Sequence, residues 1–158
     1  LGNHDGGKTY PKMLQFLEEN GITVLQEEHQ VVADSFVILG RLDPSPIGGF
    51  GGRKRKETKE VLSSLPEGLP VIVLDHTPSH IEQYGKEVDL VVSGHTHKGQ
   101  IFPFQLGTKL LFEVDYGFYQ KNEEAPAYIV TSGAGTWGPP MRVGTNSEIV
   151  SITLHRVK

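Results

Sequence analysis

Apolar positions recur along the chain with two periods, and these periods predict an alternation of helices and strands. Residues 10–21 carry apolar side chains at helical spacing and end at Gly21, so they predict a helix, as do residues 55–68. A shorter helix is predicted at 78–85. Continuous or alternating apolar runs predict strands at 22–25, 35–40, 69–76, 88–95, 108–114, 126–133 and 148–157.

The order of these elements predicts an α/β fold. Strands and helices alternate over the first two-thirds of the chain, and the later strands suit a second, more antiparallel sheet. Residues 26–34 predict a hairpin or a short strand, and the Gly- and Pro-rich residues 41–52 predict a loop long enough to serve a function. Two apolar runs end in His76 and His95, at the carboxyl ends of strands, where α/β folds bind ligands.

The amino-acid composition excludes several classes of protein and of binding site. The 158 residues suffice for one domain with its own core, and no apolar run approaches the roughly 18 residues that a membrane span requires. A net charge of −4 provides no basic field for a nucleic acid. Because the chain has no cysteine, it forms no disulfide or thiolate site, and a metal has to be bound by His, Asp, Glu or Asn.

One pattern suggests a P-loop nucleoside triphosphatase. Residues 2–9, GNHDGGKT, match G-x-x-x-x-G-K-[ST], and residues 71–75, VIVLD, match the strand and aspartate that hold magnesium in such proteins, which would assign roles to Lys8 and Asp75. A P-loop, however, follows a strand and continues into a helix at its Lys-Thr pair. Pro11 falls inside the turn that has to be helical, so this interpretation is the weaker one.

Three polar clusters favour a metal site instead. They are Asn3-His4-Asp5, His76-Thr77-Pro78 and Gly94-His95-Thr96-His97. A single histidine is more often a core or surface residue than a ligand, but here two of the three clusters follow predicted strands. Neutral imidazole is the commonest side-chain ligand of borderline transition metals, and asparagine adds a carbonyl oxygen.

The motifs GNHD at 2–5, HTP at 76–78 and SGHTHKGQI at 93–101 resemble those of the calcineurin-like metallophosphoesterases, in the same order. The tail at 132–154 is similar to the end of a bacterial, envelope-type branch of that family, and the resemblance covers essentially the whole chain. It implies the C-terminal part of a four-layer αββα sandwich. It also implies two divalent metal ions, Mn, Fe or Zn, at the ends of the sheets.

The resemblance implies a role for each motif residue. The implied ligands are Asn3, His76 and His95 for one metal ion and His97 for the other. His4 would lie over the phosphate as a general acid or charge-stabilising group, oriented by Asp5. In an extended segment, side chains at i and i+2 point to one side, so His95 and His97 can each serve a neighbouring metal.

The tail and two further positions offer other candidates. Arg142 is a candidate phosphate contact and Trp137 a candidate pocket residue, although a packed loop with a solvated arginine is the simpler interpretation. Lys98 stands where the similar branch commonly has glycine. Asp43, directly before Pro44, predicts a turn.

Two motifs of the family are missing from the sequence. Asp-x-His and Gly-Asp-x-x-Asp, which supply the remaining ligands and the carboxylate that bridges the metals, occur nowhere in it. We therefore expect residues 1–158 to be a single, partial metallophosphoesterase domain that begins at its third motif. On its own this chain is expected to bind metal weakly, to be inactive and, with an unpaired sheet edge, to associate with itself.

Two classes of function remain open. The first is a hydrolase whose dinuclear metal site cleaves a phosphomonoester, a phosphodiester or a pyrophosphate, and the retained motif residues favour it. The second is a non-catalytic module that uses the same scaffold to bind a partner. The residues indicate neither a nucleic acid nor a membrane partner, and only the resemblance points to a location, the bacterial cytoplasm or envelope.

Overall fold

A six-stranded mixed sheet forms the centre of the protein in the computed structural model, which describes residues 1–155. The strands lie in the order β1-β2-β3-β4-β6-β5. Their bounds are β1 Glu28–Val32, β2 Phe36–Gly40, β3 Val71–Leu74, β4 Leu90–Ser93, β5 Gly117–Tyr119 and β6 Ala127–Val130. Helices flank the sheet, so the predicted α/β class is confirmed.

The four central strands are parallel, and an antiparallel strand lies at each edge. β2 pairs with β3, β3 with β4, and β4 with β6 in parallel, whereas β1 and β5 pair antiparallel with β2 and β6. Continuous apolar runs are typical of parallel strands that are buried on both faces. Because parallel strands end at one edge, the residues after β3 and β4 lie beside each other.

The helices are shorter than their sequence patterns predict. They are α1 Tyr10–Glu19, α2 Thr58–Leu62 and α3 Phe104–Leu111, with 3₁₀ turns at Gly7–Thr9, Ile81–Gln83 and His97–Gly99. The helix predicted over 55–68 is only one and a half turns long. The Arg55 side chain and the Lys56 N–H bind Asp75 and Glu27 before it, and after it the Ser63 and Ser64 hydroxyls donate back to the carbonyls of Glu60 and Val61. No helix within residues 1–155 is long and apolar enough to cross a membrane.

Three strand predictions are wrong. Residues 22–25 form no strand, because β1 occupies the edge of the sheet beside β2. Residues 108–111 belong to α3, whose apolar side chains recur at helical spacing from Phe104 onwards, before the predicted segment begins. Residues 148–155 contain no strand, and residues 156 and 157 of that prediction lie outside the described part. The second sheet predicted from these segments is therefore not formed within residues 1–155.

One face of the sheet carries the main core. The cluster of buried side chains on this face includes residues of the strands and of the segments that pack on them: Val37, Leu39, Val61, Val71, Val73, Ile81, Tyr84, Val88, Val91, Val114, Tyr128 and Val130. The opposite face is also apolar but less covered: Leu74 is 44% exposed, and Ile38, Val92 and Ile129 are half-buried. A further sheet layer, as in the implied four-layer sandwich, would cover this second face.

Besides the unpaired sheet edge, we expect this second face to contribute to self-association of the isolated chain. Leu74→Lys introduces a charge there and should lower the mass measured by light scattering, because the association buries apolar surface. Leu110→Lys is the matched control, since Leu110 is 87% exposed on α3. A wild-type chain that stays monomeric at every concentration would contradict this expectation, and a response to Leu110→Lys instead would place the interface on α3.

A buried ion pair attaches the loop after β2 to the sheet. The Arg41 Nε atom lies 3.2 and 3.1 Å from the two carboxylate oxygens of Glu27, and both side chains are almost fully buried. Arg41 also donates to Thr58 Oγ1 at 3.1 Å and to the Lys56 carbonyl at 2.8 Å. Glu27 accepts from the backbone N–H of Leu42 and of Lys56, so the charges of the pair are extensively hydrogen-bonded.

Candidate metal centre

Three of the predicted ligands converge at the carboxyl edge of the sheet. His76 follows β3, His95 follows β4, and Asn3 lies in the N-terminal turn. Asn3 Oδ1 is 3.2 Å from His76 Nε2, and His95 Nδ1 is 3.3 Å from the same atom. The two imidazole rings meet edge to face with their centroids 5.1 Å apart. Three atoms capable of binding a metal therefore face one another.

The N-terminal turn fits against His76 because residue 2 is glycine. A Cβ atom at Gly2 would lie 2.7 Å from the His76 ring, closer than carbon atoms approach. The turn is closed by Asp5, whose Oδ2 accepts from the Gly2 N–H at 2.7 Å. The Asn3 carbonyl accepts from the Ile47 N–H at 2.7 Å, so the loop after β2 also fixes the position of Asn3.

Burial keeps these imidazoles neutral. Burial, together with a smaller contribution from the neighbouring His95, lowers the pKa of His76 to about 4. Burial likewise lowers the pKa of His95 and of His97. Neutral imidazole is the form that binds metal, so near pH 7 protons compete weakly for these nitrogens.

The donor set suits a borderline divalent metal. Within residues 1–155 no group of three or more His, Asp or Glu side chains could hold a metal ion, so the converging set is two imidazoles and the amide oxygen of Asn3. Imidazole nitrogen is a ligand for zinc and iron, and amide oxygen for harder cations such as manganese. The residues present therefore fit one divalent ion.

We expect acid to destabilise the metal-free chain through His76. Its pKa falls from 6.5 to about 4 on folding, so between these values the unfolded chain binds a proton that the native chain does not. The contribution of neutral His76 to the free energy of unfolding is fully present above pH 6.5 and is lost as the pH falls towards 4. Urea unfolding in chelator at several pH values should show a weaker pH dependence for His76→Asn, whereas His29→Asn, at an exposed site, should match the wild type. Equal slopes for all three proteins would contradict this.

The extended conformation predicted for His95 and His97 is wrong. Their φ angles are +66° and +49°, in the left-handed region, and His97 begins a 3₁₀ turn. The two side chains therefore do not share a side as i and i+2 neighbours of a strand. Both still line the same cavity. Left-handed non-glycine residues are uncommon and tend to mark functional sites.

His4 and Asp5 are placed differently from each other. His4 is exposed and lines the cavity beside the converging ligands. The Asp5 carboxylate accepts from the Gly2 N–H, and the described hydrogen bonds include none between Asp5 and His4. The structure therefore gives Asp5 the role of closing the turn, and the predicted orientation of His4 by Asp5 is not supported.

The Arg142 side chain is hydrogen-bonded to backbone carbonyls. Its Nη atoms donate to the carbonyls of His97, Ser132, Gly133 and Gly135, and Nη2 lies 3.4 Å from His97 Nδ1. This arrangement joins the tail to the His97 turn, and it does not support the predicted phosphate contact by Arg142. Trp137, in contrast, lines the cavity as predicted.

Asp43 contributes to the site in a way that its sequence pattern only partly indicates. Its Oδ1 accepts from the Ser45 N–H at 2.8 Å, which confirms the predicted turn. Its Oδ2 accepts from the Thr77 hydroxyl at 2.6 Å, which fixes the segment directly after His76. The side chain is buried, and its negative charge opposes the lowering of the His76 and His95 pKa values.

The P-loop interpretation finds no support in the geometry. Lys8 is exposed, lies in a 3₁₀ turn and does not line the cavity. The Asp75 carboxylate is occupied by Arg55, at 3.0 and 2.6 Å, and by the Tyr84 hydroxyl at 2.7 Å. Asp75 thus stabilises the loop before α2 and is not free to bind magnesium.

A cavity of about 1150 Å³ opens at the converging residues. Its polar lining comes from Asn3, His4, Asp5, His76, His95, Thr96 and His97, and its apolar lining from Ile47, Ile101, Phe104, Trp137 and Pro139. Gln100 and Thr108 also contact it. A mixed lining of apolar side chains and a few polar groups is typical of small-molecule sites.

Comparisons with known proteins identify the family that this chain resembles. The sequence profile of the calcineurin-like phosphoesterase family matches residues 1–99. An uncharacterized metallophosphoesterase of Helicobacter pylori is 36% identical over 97% of this chain and 41% of its own length, and one of Aquifex aeolicus is 36% identical over 98% and 59%. A zebrafish (Danio rerio) transmembrane protein with metallophosphoesterase domain is 31% identical over 97% of this chain and 37% of its own. No solved structure gives a significant match.

The relatives are longer than this chain and come from distant organisms. The chain spans 41% and 59% of the length of the two bacterial relatives. Relatives occur in bacteria and in animals, so the similarity is not confined to the bacterial branch suggested by the tail. Because the family profile covers more than half of the chain and its motifs meet at one cavity, the chain belongs to the calcineurin-like phosphoesterase family.

Proposed function

We propose that this chain supplies the histidine-rich part of a metal-dependent phosphoesterase site. The observation that carries the proposal is the convergence of Asn3, His76 and His95 within hydrogen-bonding distance at the mouth of the cavity. All three are neutral donors, and burial keeps the imidazoles unprotonated. When bound, divalent ions supply positive charge that polarises the phosphoryl group and lowers the pKa of water.

The proposed complete site holds two divalent ions, Mn, Fe or Zn. Asn3, His76 and His95 would hold one, and His97, which also lines the cavity, would hold the other. Carboxylates would come from Asp-x-His and Gly-Asp-x-x-Asp motifs outside residues 1–158, which makes this chain one part of a metallophosphoesterase domain. The absence of those motifs from the sequence is the feature that favours the alternative, a non-catalytic binding module.

Several residues of this chain would act on the substrate. The cavity binds a phosphomonoester, phosphodiester or pyrophosphate with its phosphoryl group against the histidines. His4, exposed at the cavity, donates a proton to the departing oxygen as the P–O bond breaks, and the water that adds to phosphorus releases a proton to solvent. Thr77 and Asp43 maintain the position of the segment that carries His76.

Hydrolysis of a chromogenic phosphodiester by the complete gene product tests the proposal. Turnover should require added Mn²⁺ or Zn²⁺ and should stop in chelator, and the 158-residue chain alone should be inactive. Lys8→Ala should not change nucleotide binding, since Lys8 lies outside the cavity. Metal binding without turnover of any phosphate ester would favour the binding module instead.

His4→Ala should lower the rate without loss of metal. We expect a decrease of roughly 10²–10⁴-fold in kcat, the usual contribution of a general acid. Metal content should stay at the wild-type level, because His4 is not among the converging donors. The matched control is His29→Ala, an exposed histidine on β1. Loss of metal together with rate would reassign His4 as a ligand.

A further inference from the structure

We infer that the site selects phosphate esters whose organic group is apolar, and that Gln100 holds the wall of the cavity that binds this group. The inference rests on the proposed function, since it concerns the same cavity. Three observations support it: the cavity has an apolar wall, the nearby Lys98 and Arg142 bind other groups of the protein, and the buried Gln100 amide is hydrogen-bonded to that wall.

The lining combines a polar set with an apolar wall. The apolar wall consists of Ile47, Ile101, Phe104, Trp137 and Pro139. Phe104 is 64% and Trp137 is 57% exposed, so both rings retain apolar surface that a ligand can cover. An ester bound with its phosphoryl group at the histidines would place its organic group against this wall, where burial of apolar surface is favourable.

Cations that could bind a second phosphate are engaged elsewhere. None of the described residues that line the cavity is Lys or Arg. The guanidinium of Arg142 donates to backbone carbonyls. The Lys98 ammonium lies over the Tyr116 ring, 3.8 Å from its centroid. The chain therefore offers the substrate one phosphate position and an apolar surface, in contrast to the basic residues that a nucleoside polyphosphate requires.

Gln100 fixes the wall through all the polar atoms of its side chain. Its Nε2 donates to the carbonyls of Trp137, at 2.6 Å, and Pro139, at 3.2 Å, while its Oε1 accepts from the Trp137 N–H at 2.6 Å. Gln100 is 4% exposed, and its own carbonyl accepts from Val143 N–H and Thr145 Oγ1. Because the contact needs two donors and one acceptor, glutamate cannot replace glutamine there.

Binding of alkylphosphonates to the zinc-loaded complete gene product tests the inference without hydrolysis. Calorimetry compares methyl-, butyl-, hexyl- and octylphosphonate. We expect the affinity to rise about two- to fourfold for each methylene until the wall is covered. Trp137→Ser and Phe104→Ser should flatten this dependence. Phe118→Ser, at a 69% exposed ring outside the lining, is the matched control.

Gln100→Glu separates a positioning role from a general structural role. As a positioning residue, Gln100 acts on the wall, so the variant should lose the dependence on chain length, as Trp137→Ser and Phe104→Ser do. A purely structural role would weaken all four ligands equally. Methylphosphonate that binds without any gain for longer chains overturns this inference and leaves the proposed function standing, whereas failure of methylphosphonate to bind overturns both.

Discussion

Alanine at His76 or His95 is expected to reduce phosphodiester hydrolysis by the complete gene product to the background rate. The two imidazoles and the Asn3 amide oxygen are the converging donors of this chain, with contacts of 3.2 and 3.3 Å to His76 Nε2. Removal of either imidazole leaves two of the three donors that this chain supplies to the ion, so the ligand set of the proposed site is incomplete even with carboxylates from outside residues 1–158. Both the hydrolytic activity and the amount of metal retained after gel filtration should decrease.

The matched control for this pair is His80→Ala. His80 lies four residues after His76, but its side chain is 80% exposed and contacts only Glu82 among the described ion pairs. It should keep full activity and metal content. Near-normal turnover by His76→Ala or His95→Ala would remove that residue from the proposed ligands, and loss in the His80 variant would show that the effect is not specific to the site.

Arg41→Ala should lower the free energy of unfolding by about 3–5 kcal/mol, because it leaves the Glu27 charge buried without its partner. The side chains are 0% and 3% exposed, so solvent cannot replace the lost contacts. Arg53→Ala is the control: the Arg53–Glu28 pair is 52% and 59% exposed and should contribute less than about 1 kcal/mol. Urea unfolding of both variants measures the difference. A loss below about 1 kcal/mol for Arg41→Ala would contradict this assignment.

Elements with an unambiguous pattern could be predicted from the sequence. The apolar runs of β3 and β4 and the helical spacing of α1 identified these elements correctly. The strand predicted at 108–114 was wrong because this segment contains only the later half of α3. A short apolar run does not distinguish a helix from a strand. The strand predicted at 22–25 was wrong because the edge position is decided by pairing of β1 with β2, which local sequence does not record.

The proximity of His76 and His95 was predictable because both follow neighbouring parallel strands, but the geometry around them was not. The left-handed conformation of His95 and His97 has no local sequence signal, since neither residue is glycine or asparagine. The contact between Asp43 and Thr77 joins residues far apart in the chain. Arg142 suggested a phosphate contact because arginine suits that role, whereas in the structure its Nη2 atom donates to the backbone carbonyls of Ser132, Gly133 and Gly135 in the tail.

Anomalous diffraction from crystals of the complete gene product grown with zinc tests the proposed metal centre most directly. We predict a peak bonded to Asn3 Oδ1 and to a ring nitrogen of both His76 and His95, with zinc–nitrogen distances of about 2.0–2.1 Å. A second peak at His97 would support the dinuclear site. A protein that binds zinc in solution but shows its peaks only at other residues, such as the exposed His29 or His80, would contradict the proposed ligand set.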